Sequence, residues 1–591
     1  MIKEPEKFYA QQLRLHKATY QNAKRKLLIS SLSRLFVFVI VGIALYLLYP
    51  SAQHMVAVAI LGFILFAFLL KRHNGLQYKA NKAKILAEIN TVESEVLKGN
   101  YSQLATGEEF GQPDHPFSQD IDLFGHASFF QYLNRTATAE GKAKLASYLL
   151  SNSLENIEMR QQAVQELAGM PEWRQEYLAT AQLSRTQIKV RTLLNWIHSY
   201  QSFVPNVFRY LPFIFGSISG LLILAYIFFS IPALYILIWF FVGLGITGRY
   251  VKSINKLYVH IGEAEGIFNQ YEKLIRQVEE QEFSSDYLQK QRDKITNTSE
   301  KASAVLRKLY SYISALDQRN NMIFAALGNG FLLWDLDKVY KIECWIQNYK
   351  QHIEDWFAVV SSFDSYASLA NFSFNHPEYV YPVIHSNAGR IINAEQLGHP
   401  LLNPEKRVAN DLQVDQGEFF IITGANMAGK STFLRTTALA IVMANVGLPV
   451  CATRCIYRPI RLYTSMRTTD SLSDEASYFY AELVQLKRIV EAIEEKEYFI
   501  ILDEILKGTN SKDKAEGSRK FVEKLVKAKA TGIIATHDLS LCEIATEIPQ
   551  VKNRYFDAQI QDDELYFDYR YKEGICQNMN ASFLLKKMGI V

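Results

Sequence analysis

The chain has 591 residues, a formal net charge of +4, and 49% hydrophobic against 21% charged residues. That length requires more than one domain, and so small a charge does not by itself argue for nucleic acid. Five cysteines (Cys344, Cys451, Cys455, Cys542 and Cys576) form no paired framework. Cys451 and Cys455 lack the second ligand pair of a zinc site, and the set suits a reducing, cytosolic compartment.

Residues 1–34 read as a basic N-terminal helix, with Lys7, Arg14, Lys17, Lys24, Arg25 and Lys26 among Phe8, Leu13 and Tyr20. No cleavable signal pattern is expected there. From Leu35 to Leu70, and again from Tyr210 to Gly248, no Asp, Glu, Lys or Arg occurs. Each stretch exceeds one span and breaks midway, at Pro50-Ser51 and at Ser230-Ile231-Pro232. Two transmembrane hairpins follow, within 35–70 and 209–249, with spans at the short end of the bilayer range. All four outer flanks are basic (Arg34, Lys71, Arg209, Arg249), which places them on the cytoplasmic side. The expected location is therefore the inner cell membrane, multi-pass, with the other domains in the cytoplasm.

Residues 71–117 read as a helix and a Gly/Pro linker, 118–208 as an α-helical core, and 250–402 as long helices with a connector over 363–416. Residues 403–591 form the last domain. In it, the apolar run Phe419–Ile422 leads into Gly424-Ala425-Asn426-Met427-Ala428-Gly429-Lys430-Ser431-Thr432. This is the spacing of a phosphate-binding loop in its strand–loop–helix context. Its glycines let backbone N–H groups turn toward an anion at a helix N-terminus. Lys430 is placed for terminal phosphates and Ser431 for Mg²⁺. The helix is expected over 432–446. A second apolar run, Tyr498–Leu502, ends in Asp503-Glu504. Asp503 suits Mg²⁺ and Glu504 the attacking water. A third strand, Thr531–Thr536, ends at His537, placed to sense the terminal phosphate.

Three segments, Thr423–Thr432, Leu502-Asp-Glu-Ile-Leu-Lys-Gly-Thr-Asn-Ser511 and Ala535-Thr-His537, resemble the MutS family of DNA mismatch repair ATPases. So do Leu123-Phe124 with Leu133-Asn-Arg-Thr-Ala-Thr-Ala-Glu-Gly141, and Leu369-Ala370, His399-Pro400 and Val408-Ala-Asn410 upstream. The resemblance covers about 118–200 and 251–591. It implies an α/β, ABC-type P-loop ATPase domain C-terminal to an all-α core and lever, using ATP and Mg²⁺. It further implies a homodimer with two nucleotide sites formed head to head, in which Ser477 touches the partner's ATP.

Two departures stand out. Asp474 and Glu475 occupy positions where the family has small residues, and Phe8-Tyr9-Ala10 lacks the Glu of the family's mismatch-reading motif. Loss of ordinary mismatch recognition is expected. The resulting reading is a membrane-anchored, DNA-associated MutS-like ATPase with dimer closure driven by ATP. The alternatives are a membrane scaffold ATPase acting on protein partners without DNA, and an ABC transporter half. The transporter reading suffers from the absence of Leu-Ser-Gly-Gly-Gln and from the wide separation of the hairpins.

Overall fold

The computed structural model describes residues 4–49, 51–183, 190–296, 300–385, 389–425, 427–466, 478–507, 509–561 and 564–577. Two long antiparallel helices open the chain, α1 (Glu4–Leu47) and α2 (Ala52–Val96). The composition changes at 34/35 and 70/71 leave no break in either helix, because backbone hydrogen bonding is indifferent to whether the side chains are charged or apolar. A Cβ on Gly62 would lie 2.6 Å from Val41, so the two helices touch closely within the apolar stretch.

A helical core follows: α3 (Phe129–Leu133), α4 (Ala139–Leu150), α5 (Ile157–Ala168), α6 (Pro171–Leu183) and α7 (Val190–Ser199). Then come α8 (Leu211–Phe229) and α9 (Ala233–Glu280), the latter again running through the expected boundary near 249. The core is completed by α10 (Asp286–Thr296), α11 (Ala302–Asp317), α12 (Met322–Leu332), α13 (Trp334–Tyr349) and α14 (Ile353–Asn375). Among the described residues, four helices are long and apolar enough to cross a membrane: α1, α2, α8 and α9.

The expected connector over 363–416 is in fact structured. Its first part is the end of α14, one of the most buried helices of the core. Its second part enters a four-stranded sheet of β1 (Val383–Ile384), β2 (Arg390–Leu397), β3 (Asn410–Asp415) and β5 (Arg454–Tyr457), in the order β1-β5-β2-β3. The expected domain start at 403 falls between β2 and β3, which pair antiparallel, so the sheet-bearing domain begins near residue 383.

The larger sheet comprises β4 (Phe419–Gly424), β6 (Arg461–Ser465), β7 (Tyr498–Asp503), β8 (Thr531–Ala535), β9 (Val551–Phe556) and β12 (Tyr571–Glu573). Its order is β12-β9-β4-β8-β7-β6, parallel except for β12. A small hairpin, β10 (Gln559–Gln561) with β11 (Glu564–Tyr566), precedes β12. Helices α15 (Lys430–Val446), α16 (Tyr478–Glu495), α17 (Ser511–Lys527) and α18 (Ile544–Glu547) complete the domain. Phe419, Phe420, Ile421 and Ile422 are buried on both faces of the sheet, as a central parallel strand requires.

The core grips this domain at the sheet edge. Thr464 N donates to Pro116 O (2.8 Å), Thr464 Oγ1 to Asp120 Oδ2 (2.6 Å), and Asn152 pairs both ways with Leu462. An exposed edge strand is thereby covered. Inside the core, Asp364 of α14 accepts from the backbone of Ala137 (3.0 Å) and Thr138 (2.8 Å) and from Thr138 Oγ1 (2.6 Å). Burial pushes its carboxyl up to about 6, against these stabilising donors. Gly141 admits the contact, since a Cβ there would meet Asp364 Oδ2 at 2.1 Å. The Leu133–Gly141 stretch is thus written around one buried carboxylate.

The N-terminal segment is not a solvated helix throughout. Tyr9 is buried, donates to Asn375 Oδ1 (2.7 Å), and packs with Phe8 against Phe374. Asn375 in turn donates to Glu93 (3.0 Å), which pairs with Arg135 (2.5 Å). The Phe8-Tyr9-Ala10 stretch therefore helps fasten the first hairpin to α14.

Orphaning a buried donor costs about 1–3 kcal/mol. Asp364→Ala, which orphans several, should lower the thermal midpoint by several degrees more than Asp364→Asn, which keeps an acceptor oxygen. Calorimetry on the two purified variants checks this.

Candidate functional site

The parallel register brings three loops to one level. Ile422 of β4 and Asp503 of β7 both pair with Ala535 of β8. The residues that follow each strand, Gly424–Thr432, Glu504–Lys507 and Thr536–His537, consequently meet at the C-terminal ends of the strands, where open parallel sheets bind ligands.

The loop after β4 needs its glycines. Gly424 has φ 152°, and a Cβ there would lie 2.6 Å from Phe556 O; Gly429 has φ 104° and faces the Tyr569 ring at 3.1 Å. Met427 is held at φ 68° and is largely exposed. Lys430 starts α15, two residues ahead of the expected helix start. Its ammonium donates to Gly424 O (2.6 Å) and Ala425 O (3.0 Å), and lies 3.2 Å from His537 Nε2. Burial lowers its pKa, against the opposing pull of Asp503 and Glu504.

Ser431 Oγ donates to Asp503 Oδ2 at 2.7 Å. A hydroxyl and a carboxylate oxygen in contact beside a lysine form the hard-oxygen donor set that suits Mg²⁺. Glu504 has φ 49°, and its amide donates to Ala535 O (2.9 Å). This sparsely populated conformation for a non-glycine residue turns the side chain back toward His537 Nε2 (3.1 Å), with Lys507 at 3.7 Å. His537 Nε2 thus faces an anion and a cation together. Desolvation and the Lys430 ammonium lower its pKa despite Glu504, so the ring is neutral at neutral pH.

The cleft is lined by Ala425, Met427, Gly429, Lys430, Ser431, Thr432, Asp503, Glu504, Lys507, His537 and Tyr569. The phosphate-loop residues, both carboxylates and the histidine singled out in the sequence therefore converge on one place, with Ala428 buried beneath the loop. Asn426 and Ser477, together with Asp474 and Glu475, lie outside the described residues.

Three contributions escaped sequence reasoning. Tyr569 closes one wall of the cleft. Glu482 of α16 accepts from the Leu506 and Lys507 amides and holds the turn after Glu504. A second lobe adjoins the loop, lined by Leu397, His399, Val408, Phe433, Phe556 and Tyr569 among others. His399 and Val408 had carried only the family resemblance. Phe433 follows the loop directly on α15, but Phe556 and Tyr569 come from a strand and a loop far away in the chain, and nothing local marks them.

Residues 420–586 match the family model described as MutS domain V. Over this region the chain is similar to the MutS family. It is 32% identical over 193 residues to the human protein named MutS protein homolog 4, covering 31% of this chain and 20% of that one. It is 31% identical over 236 residues to the DNA mismatch repair protein MutS of Persephonella marina, covering 39% and 27%. The chain thus spans about a fifth to a quarter of the length of these curated relatives. The MutS domain V is the part that carries the cleft.

Glu482→Ala removes the two acceptors of the 505–507 turn. Faster hydrogen exchange at the Leu506 and Lys507 amides, with β7 still protected, is the expected outcome.

Proposed function

We propose that this MutS-family chain is a membrane-anchored ATPase whose nucleotide site is the cleft at the ends of β4, β7 and β8. The observation that carries the reading is the convergence in one cleft of Lys430, His537 and Glu504, linked at 3.2 and 3.1 Å, with the Ser431–Asp503 pair at 2.7 Å. Backbone amides of the 424–432 loop and the N-terminus of α15 hold the phosphates. Lys430 exchanges its carbonyl partners for phosphate oxygens. Ser431 and Asp503 would hold Mg²⁺, which would supply positive charge to offset that of the nucleotide's phosphates. Glu504 orients the attacking water, and neutral His537 donates or accepts beside the terminal phosphate. The apolar lobe lined by Phe433, Phe556 and Tyr569 takes the base.

The family relationship supports a head-to-head homodimer closed by ATP, with Ser477 contributed across it, and a role on DNA like that in the relatives' names. Helices α1, α2, α8 and α9 anchor the protein in the inner membrane with the cleft on the cytoplasmic side. One observation favours the DNA-free scaffold as a second reading: the Phe8-Tyr9-Ala10 stretch is packed into the core by Asn375 and Phe374 and is not available to read a base pair.

ATP hydrolysis by the full chain in detergent, with and without duplex DNA, separates the readings. Lys430→Ala should lose nucleotide binding. Glu504→Gln should bind ATP but turn over about 10²–10⁴-fold more slowly. Stimulation by DNA that vanishes in both variants supports the DNA-linked role; activity indifferent to DNA supports the scaffold.

The pH profile gives a separate check. Desolvation and Lys430 lower the His537 pKa from its ordinary value of 6.5, which moves its protonation to more acidic pH. Hydrolysis should stay level from alkaline pH down to that value and fall beneath it, and His537→Gln should abolish this acid limb.

A further inference from the structure

One short helix of the core is built for hydrocarbon, not water. No charged residue stands between Arg319 and Asp335, and α12 lies between them. On it, Met322, Ile323, Leu327 and Leu332 are 85%, 72%, 51% and 44% exposed. At 11 residues the helix is about 16 Å long, roughly half a bilayer core.

This apolar face continues that of the second hairpin. A Cβ on Gly243 of α9 would lie 2.4 Å from Gly330 O, and one on Gly330 would strike the Phe240 ring at 2.2 Å. Gly216 of α8 meets Leu332 in the same way, at 3.2 Å. Such close approach between small residues is how helices associate in lipid. Ser219 Oγ of α8 donates to Phe331 O (2.7 Å) and accepts from Trp239 Nε1 of α9 (2.9 Å). Phe240 and Gly243 lie roughly 9–14 Å along α9 from the basic flank at Arg249, within one leaflet's depth.

Several polar groups of α12 are paired within the protein, although Arg319 Nη1 and Asp335 Oδ1 beside it have no hydrogen-bond partner among the described residues. Asn321 accepts from the Ile323 and Phe324 amides, and Leu333 N donates to Gly328 O. Asn329 is buried and accepts from Asp335 N (3.0 Å). Arg319 and Asp335, the charges on either side, pair with each other at 3.2 Å and are nearly buried. A segment that enters hydrocarbon without crossing it must satisfy its backbone in this way.

We propose that α12 is a half-helix embedded in the cytoplasmic leaflet against α8 and α9, with Met322, Ile323, Leu327 and Leu332 facing lipid acyl chains. This rests on the reading of α8 and α9 as membrane spans. The first hairpin anchors the protein through its own helices; α12 ties the end of α11 and the start of α13, and so the core, directly to the bilayer.

The test uses the full chain in phosphatidylcholine–phosphatidylglycerol vesicles, with a polyethylene-glycol maleimide on both sides of the bilayer. Single substitutions Ser311→Cys on exposed α11, Leu224→Cys within α8 and Leu327→Cys on α12 are compared, and the unsubstituted chain is the blank for native cysteines. Labelling of Ser311→Cys, with loss of labelling at the other two until the vesicles are dissolved in SDS, is the expected result. Protection of Leu224→Cys with full labelling of Leu327→Cys overturns the proposal and leaves the spans standing. Labelling of both fells the spans and the proposal together. A bimane on Leu327→Cys should also be quenched by brominated acyl chains; protection without quenching means that protein covers α12 and overturns the proposal.

Discussion

The register of the parallel sheet is the constraint on which the site depends. Ile422 and Asp503 are aligned on the same residue of β8, and Thr536 N donates to Ile422 O (2.9 Å) while Glu504 N donates to Ala535 O. Shift any one strand by a residue and the lysine, the two carboxylates and the histidine no longer share a plane. The strands can hold that register because they are apolar on both faces and have no alternative position that stays buried. What the sheet supplies is position; the desolvation of the Lys430 ammonium, opposed by the pull of Asp503 and Glu504, is tolerated at the C-terminal ends of its strands.

Separate polar junctions join the domain of the site to the core, and the core to the first hairpin. Asp120 and Asn152 hold strand β6, and Arg160 of α5 donates to Asn445 O at the end of α15. Asp364 of α14 fastens the 137–138 turn, and Asn375 at the end of the same helix meets Tyr9 and Glu93 of the first hairpin. These junctions are buried or half-buried. Helices α1, α2 and α9 then run unbroken from core contacts into their apolar stretches.

The phosphate loop, the Asp503-Glu504 pair and His537 were legible because each follows an apolar strand directly, and local order fixes what such a loop presents. Both hairpins were legible from the absence of charge. The burial of Tyr9 was not: a basic, amphipathic stretch reads the same whether it lies in solvent or docks its aromatic residues, and Phe374 and Asn375 are distant in the chain. Likewise 363–416 looked like a connector, because α14 is buried nearly all round and β2 and β3 carry polar residues among their apolar ones.

The sequence by itself determined the chemistry of the site, through contiguous residues whose backbone and side chains act together, and the places where the chain is apolar enough for a bilayer. Only the tertiary structure decided which remote residues complete the cleft. Tyr569, Glu482 and Phe556 come from three separate elements, and their roles exist only through packing. It also decided that α12 lies beside α8 and α9, since a largely apolar helix of 11 residues fits a buried core helix equally well until its neighbours are known.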